Sequence, residues 1–115
     1  MGIRVLVSGA NGKVGREIVK GILAEPTLKL VGAVGSQHGL DEDIGVLVGQ
    51  QPVGIKLSPD LAGTIASTRA EVVVDFTRPA TIMDNLRTIA EAGADAVIGT
   101  TGITESDIPG ITTLY

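Results

Sequence analysis

The segment IRVLVSGANGKVG, residues 3–15, passes from an apolar run into a glycine-rich loop. Residues 3–8 are β-branched and apolar enough to form a strand that is buried on both faces, as in a parallel sheet. The loop carries glycines at positions 9, 12 and 15 and leads directly into a helical pattern. The segment therefore predicts a strand, a tight turn and a helix, the context that a dinucleotide-binding loop requires.

Each glycine of the loop has its own expected role. Gly9 would let the chain turn sharply off the strand, Gly12 would let backbone N–H groups approach a pyrophosphate, and Gly15 would let the helix lie close to the sheet. The helix N-terminus would add free N–H donors and partial positive charge for the anion. Taken alone the motif is weak, because 16 glycines in 115 residues produce such spacings by chance. The same glycines could also serve only a tight turn.

Composition limits the classes of function. A chain of 115 residues is one domain, residues 1–115, with 43% hydrophobic and 19% charged residues, as in ordinary globular proteins. Without cysteine there is no disulfide, thiolate metal site or thiol nucleophile. The net charge of −4, the scattered basic residues and the scarcity of aromatic residues, only Phe76 and Tyr115, argue against a nucleic-acid partner.

The sequence also argues against a membrane partner. No apolar segment approaches the roughly 20 residues of a membrane span. A strand pattern takes the place of the basic and apolar regions of an export signal, so we expect a cytoplasmic location.

Strands and helices alternate along the chain. The patterns predict strands at 3–8, 28–34, 53–57, 71–76 and 94–98, and helices at 13–24, from Pro59 to about 68 with Ser58 as N-cap, and from 77 until Gly93. The first helix carries one apolar stripe, formed by Val14, Ile18, Val19, Ile22 and Leu23. Residues 35–51 are expected to be mainly loop, with a short helical turn within 41–48. This alternation predicts an α/β fold, an open, mostly parallel Rossmann-like sheet with helices on both faces.

Three unusual segments follow strands of this sheet. They are the loop at 9–15, the run Asp75-Phe76-Thr77-Arg78-Pro79, and the run Gly99-Thr100-Thr101-Gly102. In an open parallel sheet, ligands bind at the carboxyl ends of the strands, near the point where strand order reverses. The three segments are therefore expected to meet at one site.

Together these residues resemble the N-terminal domain of dihydrodipicolinate reductase, over essentially the whole chain. VSGANGKVGR at 7–16 is similar to the family's opening fingerprint, in which methionine is usual where this chain has Val14. VVDFTRP at 73–79 and VIGTTG at 97–102 are similar to its two later signatures. The two later signatures are the specific part, since the opening glycines occur in many dehydrogenases.

The resemblance implies NADH or NADPH as the hydride donor for a cyclic precursor of lysine and diaminopimelate. By position it implies that the pyrophosphate is held by Gly9, Ala10, Asn11, Gly12, Lys13 and Val14. It places Gly99, Thr100 and Thr101 at the nicotinamide and its ribose, with Phe76 and Thr77 nearby. These residues, with Gly35 and Ser36 at the adenosine ribose, are the candidate cofactor site.

Two departures from the family pattern matter. Gly35-Ser36 stands where the family commonly carries an acidic residue for the adenosine ribose, which favours NADPH or dual use. Lys13, Arg16 and His38 are candidates for the positive charge beside a 2′-phosphate. Second, the histidine pair, lysine and Ser-Gly-Thr motif of the family's second domain are absent from these 115 residues.

The second departure determines what we expect of the chain. It has the features of a truncated reductase or an isolated cofactor domain, and we assign it no catalytic residue and no metal ligand. We expect it to bind dinucleotide without turnover, and to take the small cyclic dicarboxylate substrate only where the second domain is present. The sheet edge after Ile98 invites association, so we also expect a homo-oligomer.

Plainer interpretations remain for single residues. His38 fits an exposed loop residue better than a catalyst, and Asp75 fits a turn or cap acceptor better than a general base. Consecutive acids at 41–43 point in different directions, which favours a solvated loop over a metal cluster. Two other functions also stay open: a non-enzymatic nucleotide- or coenzyme A-binding regulatory module, and the cofactor domain of another sugar or amino-acid dehydrogenase.

Overall fold

A computed structural model describes residues 2–36, 38–75 and 79–98 of the chain. In this part of the chain, five parallel strands form one sheet in the order β3-β2-β1-β4-β5. The strands are β1 (Ile3–Ser8), β2 (Leu28–Val34), β3 (Leu57–Ser58), β4 (Val72–Asp75) and β5 (Asp95–Ile98). The described helices are α1 (Lys13–Ala24), α2 (Ile44–Leu47), α3 (Leu61–Thr68) and α4 (Pro79–Glu91).

Both faces of the sheet are covered by helices. Side chains alternate along β1, so Val5 and Val7 point to one face and Leu6 to the other. The first face packs on α1 through Val19 and Ile22. On the opposite face, the buried residues come from β1, β2, β4, α3 and α4 and include Leu6, Val34, Ile65, Val73 and Ile89. The predicted parallel α/β sheet with helices on both faces is confirmed.

Several element boundaries match the sequence patterns. The bounds of β1, α1 and β2 are those predicted, because buried β-branched runs and one strong amphipathic period specify them locally. The short helix α2 lies within the predicted turn at 41–48. Gly93 follows α4 with a φ of +78°, and the Ala94 N–H donates to the Ile89 carbonyl at 3.2 Å. Gly93 therefore ends the helix as predicted.

The third strand differs from its prediction. It covers Leu57–Ser58 and not 53–57. The N–H groups of Val53 and Gly54 donate to the Asp43 carboxylate, and Gly54 has a φ of +80°. These two residues are therefore held in a loop, and most of the run predicted as a strand is irregular.

The start of α3 was also predicted wrongly. Ser58 pairs with Val34 in the sheet and is not the N-cap. Asp60 caps the helix instead, because its Oδ1 accepts a hydrogen bond from the Gly63 N–H at 3.0 Å. The Ser58 hydroxyl accepts from the Asp60 N–H at 3.1 Å, so it orders the turn that leads into the cap.

Candidate functional site

The turn between β1 and α1 is bonded to the neighbouring strand. Gly9 has a φ of +80°, a conformation that favours glycine, which confirms the sharp turn predicted there. The N–H groups of Gly9 and Ala10 donate to the Val34 carbonyl at 2.8 and 3.0 Å. The loop is therefore held at the carboxyl end of β2 as well as β1.

The third glycine of the loop allows a close approach of backbone to backbone. Gly15 is buried, and a Cβ there would lie 2.8 Å from the Gly9 carbonyl carbon and 3.0 Å from Ala10 Cα. The predicted close packing is present, but the partner is the turn itself and not the middle of a strand. Any side chain at position 15 would push α1 away from the loop.

The first turn of α1 presents backbone donors at the end of the loop. The first N–H groups of an α-helix have no intrahelical acceptor, and the N-cap residue Gly12 brings no side chain to satisfy them. The Gly12 N–H itself donates to the Gly9 carbonyl at 3.1 Å. This geometry suits an anionic ligand at the helix N-terminus.

Val14 lies in this first turn and departs from the predicted apolar stripe. Its side chain is 55% exposed, whereas Val19 and Ile22 are buried and Ile18 and Leu23 pack against the core. The prediction that Val14 belongs to the core face is therefore wrong. An exposed apolar side chain beside uncapped N–H groups is accessible to a ligand.

An open cleft of about 540 Å³ lies beside the loop. Its lining residues are Asn11, Lys13, Arg16, Glu17 and Lys20 from the loop and α1, and Leu47, Val48 and Gly49 from α2 and the residues after it. Arg16 Nε donates to the Asn11 carbonyl at 3.2 Å, and Lys20 pairs with Glu17 at 3.2 Å. Three cations against one carboxylate make the cleft electropositive, although the chain as a whole is acidic.

Asn11 ties the loop to the chain that follows β2. Its Nδ2 donates to the carbonyls of Ser36 and His38 at 2.7 and 2.8 Å, and the Gly35 N–H donates to the Ser58 carbonyl at 3.0 Å. Ser36 and His38 are exposed, as the plain interpretation of His38 predicted. The sequence predicted Asn11 at the pyrophosphate, but no local pattern indicates its two hydrogen bonds to the Ser36 and His38 carbonyls. We call these two hydrogen bonds the Asn11 latch.

Asp43 is the N-cap of α2, the helix whose last residue, Leu47, lines the cleft together with Val48 and Gly49. Its carboxylate accepts hydrogen bonds from the N–H groups of Val53, Gly54 and Gly45 at 2.7 to 3.1 Å. These backbone donors, that of Val53 first, hold the pKa of Asp43 below its usual value because they stabilise the ionised form. Asp41 and Glu42 are exposed, so the predicted solvated loop holds for them, but Asp43 has a structural role that was not predicted.

Strand order reverses between β1 and β4, and polar residues end both strands there. Ser8 lies opposite Asp75 in the parallel register, and both are buried. Asn85 of α4 donates to the Asp75 carboxylate at 3.1 Å. This contact supports the structural interpretation of Asp75, which holds α4 at the carboxyl end of the sheet.

Part of the predicted site lies outside the described residues. Phe76, Thr77, Gly99, Thr100 and Thr101 belong to this part, and their predicted cofactor contacts stay predictions. The ends of β4 and β5 lie at the same edge of the sheet as the loop, because all described strands are parallel.

None of the described helices has the length and apolar character of a membrane span. Among the described side chains, no three His, Cys, Asp or Glu residues gather as metal ligands would.

These features define the class of protein. A parallel sheet wound on both sides, with an uncapped glycine-loop helix beside the reversal of strand order, is a Rossmann-like nucleotide-binding domain. Residues 3–115 match the family model described as dihydrodipicolinate reductase, N-terminus, and the chain belongs to that family.

Curated relatives support the same family. The chain is 48% identical over 101 residues to 4-hydroxy-tetrahydrodipicolinate reductase of Moorella thermoacetica, across 88% of this chain and 38% of the relative. It is 44% identical over 111 residues to the Desulfitobacterium hafniense (strain DSM 10664 / DCB-2) protein of the same name, across 95% and 41%. The chain therefore spans about two fifths of the length of these relatives.

Solved structures share the fold. A dipicolinate-bound dihydrodipicolinate reductase from Paenisporosarcina sp. TG-14 superposes with a TM-score of 0.79 at 24% identity, across 99% of this chain and 43% of that chain. An amine dehydrogenase from Mycobacterium smegmatis superposes with a TM-score of 0.73 at 29% identity, across 84% and 29%. The similarity to several dehydrogenases reflects the common domain, and the family match separates this chain from them.

Proposed function

We propose that this chain is the NAD(P)H-binding domain of a 4-hydroxy-tetrahydrodipicolinate reductase. The observation that carries the proposal is the uncapped first turn of α1, held behind a closely packed glycine loop in a chain of this family. The bound dinucleotide supplies a hydride, and the remainder of the reductase holds the cyclic substrate that accepts it. The role of the described residues is to bind and orient the donor.

Each part of the dinucleotide has a proposed position. The pyrophosphate lies on residues 9–14, where the helix N-terminus offers N–H donors and partial positive charge. The nicotinamide and its ribose lie at Gly99, Thr100 and Thr101, with Phe76 and Thr77 beside them. The carboxyl ends of β4 and β5 support this arrangement, because hydride transfer needs reacting carbons held about 3 to 3.5 Å apart on rigid elements.

The residues proposed to bind the adenosine ribose favour NADPH, or the use of both NADPH and NADH. Gly35 and Ser36 follow β2 without a carboxylate that would repel a 2′-phosphate. Lys13 and Arg16 line the electropositive cleft together with Asn11, whose side chain is bonded to the Ser36 carbonyl, and His38 is exposed on the loop after β2. We therefore expect NADPH to bind at least as tightly as NADH.

Calorimetric titration with NADPH, NADH and coenzyme A tests the proposal. Saturable binding of either nicotinamide dinucleotide with no binding of coenzyme A is expected. Lys13→Gln should weaken NADPH by about two- to fivefold more than NADH, the range for an exposed charge contact. Lys20→Gln is the matched control, because Lys20 lies two turns further along α1 and pairs with Glu17. Binding of coenzyme A alone would support the regulatory-module alternative.

We further propose that these 115 residues do not catalyse the reaction by themselves. The only histidine of the sequence is His38, which is exposed on a loop, so these 115 residues cannot supply the histidine pair that the resemblance assigns to the second domain. Oxidation of NADPH by the purified chain should stay at the background rate when the cyclic substrate is added. Saturable turnover would contradict this proposal and leave dinucleotide binding intact.

A further inference from the structure

Gly35 occupies the position at which a Rossmann-like domain commonly carries an acidic residue for the adenosine ribose. In this structure there is no space for any side chain at that position. A Cβ built on Gly35 would lie 2.7 Å from Asn11 Cγ and would overlap the Asn11 side-chain oxygen. The next neighbour, Leu57 Cδ1 at 3.1 Å, is the tip of a flexible side chain and can move by a few tenths of an ångström. Asn11 is therefore the group that excludes a side chain at position 35.

Asn11 cannot swing away without loss. Its Nδ2 donates to two carbonyls, those of Ser36 and His38, at 2.7 and 2.8 Å. Its backbone is held as well, because Gly9 is bonded to β2 and the Asn11 carbonyl accepts from Arg16 Nε. Rotating the side chain to admit a substituent at position 35 would break both side-chain hydrogen bonds and release the loop after β2.

We propose that Asn11 restricts position 35 to glycine and so keeps the ribose end of the site free of a carboxylate, which makes the cofactor selectivity of this domain depend on positions 11 and 35 together. The latch holds the loop after β2 closed against the glycine-rich loop, and the space it fills is the space that a ribose-binding acid would need. A dinucleotide with a 2′-phosphate is admitted because the acid that would repel it cannot be accommodated. This inference rests on the proposed dinucleotide binding and assigns Asn11 a specificity role in addition to pyrophosphate contact.

The inference predicts that positions 11 and 35 are energetically coupled. Gly35→Asp in the otherwise unchanged chain should weaken both NADPH and NADH, because the new side chain displaces the latch and the loop with it. Asn11→Ala should weaken both by a similar factor and leave their ratio unchanged. In the double variant the carboxylate fits, so NADH binding should recover at least tenfold relative to Gly35→Asp, while NADPH binding should not.

Dissociation constants for both dinucleotides, measured by calorimetry on the four proteins, test this. Recovery of NADH binding together with inversion of the NADPH-to-NADH ratio supports the inference. Additive effects of the two substitutions, or full NADH binding by Gly35→Asp alone, would overturn it. Failure of the unsubstituted chain to bind either dinucleotide would instead contradict the proposed function.

Thermal unfolding of variants with a smaller side chain at position 35 tests the steric exclusion without a ligand. This measurement also remains informative if Gly35→Asp folds poorly. Gly35→Ala should lower the thermal unfolding midpoint by roughly 5 °C in the presence of Asn11, and by much less in the Asn11→Ala background. Gly21→Ala is the matched control, since a Cβ there meets no atom within 4 Å and the substitution should show no coupling to position 11. Equal shifts for Gly35→Ala in both backgrounds would contradict the steric exclusion on which the selectivity depends.

Discussion

Two glycines of the loop between β1 and α1 are required for different physical reasons. Gly9 adopts a positive φ that a Cβ would strain, whereas Gly15 has ordinary helical geometry but no space for a Cβ beside the Gly9 carbonyl. Either glycine could have been a chance occurrence in a chain with 16 of them. The structure separates the two roles because conformation and close approach are different constraints.

Substitution of Gly15 tests the close approach. Gly15→Ala should destabilise the fold by about 1 to 3 kcal/mol, the range for overpacking, and should weaken dinucleotide binding because α1 moves away from the loop. Gly21→Ala in the same helix is the matched control, since a Cβ there meets no atom within 4 Å. The control should be stabilising by about 0.4 to 1 kcal/mol. Urea denaturation and NADPH titration measure both effects, and equal stability changes for the two variants would contradict the steric argument.

At the scale of elements, the segment between β2 and α3 was the hardest to predict. Its four-residue helix and two-residue strand are too short for a period to appear. Its shape depends on one side chain, because the Asp43 carboxylate accepts hydrogen bonds from backbone N–H groups ten and eleven residues further along the chain. We call this set of hydrogen bonds the Asp43 clamp. Such a clamp depends on the closure of the loop, so neither propensity nor spacing indicates it.

The clamp predicts a pH dependence. The pKa of Asp43 is lowered in the folded state, principally by the Val53 N–H, so its contribution to stability is complete above the unfolded pKa of about 3.9. That contribution is lost as pH falls through the lower folded pKa. Asp43→Asn should therefore be less stable than the parent chain at pH 7, and the difference should shrink towards pH 3.

Urea denaturation at several pH values measures this difference. Glu42→Gln is the control, because Glu42 is a neighbouring exposed carboxylate outside the clamp. Its effect should be small and should not follow the same pH dependence. A stability difference for Asp43→Asn that stays constant down to pH 3 would exclude the clamp as its cause.

At the scale of the whole molecule, β5 forms one edge of the described sheet. Val97 on this strand is 54% exposed, and an apolar edge strand favours pairing with another chain. We therefore predict self-association of the chain through β5. Val97→Lys should shift the population towards monomer in sedimentation velocity, because a charge on an edge strand opposes such pairing. Val46→Lys, at an equally exposed valine on α2, should leave it unchanged.

The architecture was largely predictable from local patterns. The bounds of β1, α1 and β2 and the C-terminal glycine of α4 follow from runs and periods that extend over six or more residues. The errors fall at the third strand, at Ser58 and at Val14, where a strand, a helix cap and a core position were each assigned by local pattern. In the structure Ser58 pairs with Val34 in the sheet, and Val14 is exposed in the first turn of α1.

The glycine loop and the two later signatures were enough to predict the family, the parallel fold and the kind of ligand, because these depend on residues adjacent in sequence. Tertiary structure alone revealed that Asn11 occupies the space beside Gly35 and that Asp43 closes a loop over eleven residues. Both are contacts between distant parts of the chain. Such contacts depend on the distances that folding sets, and no spacing along the sequence encodes those distances.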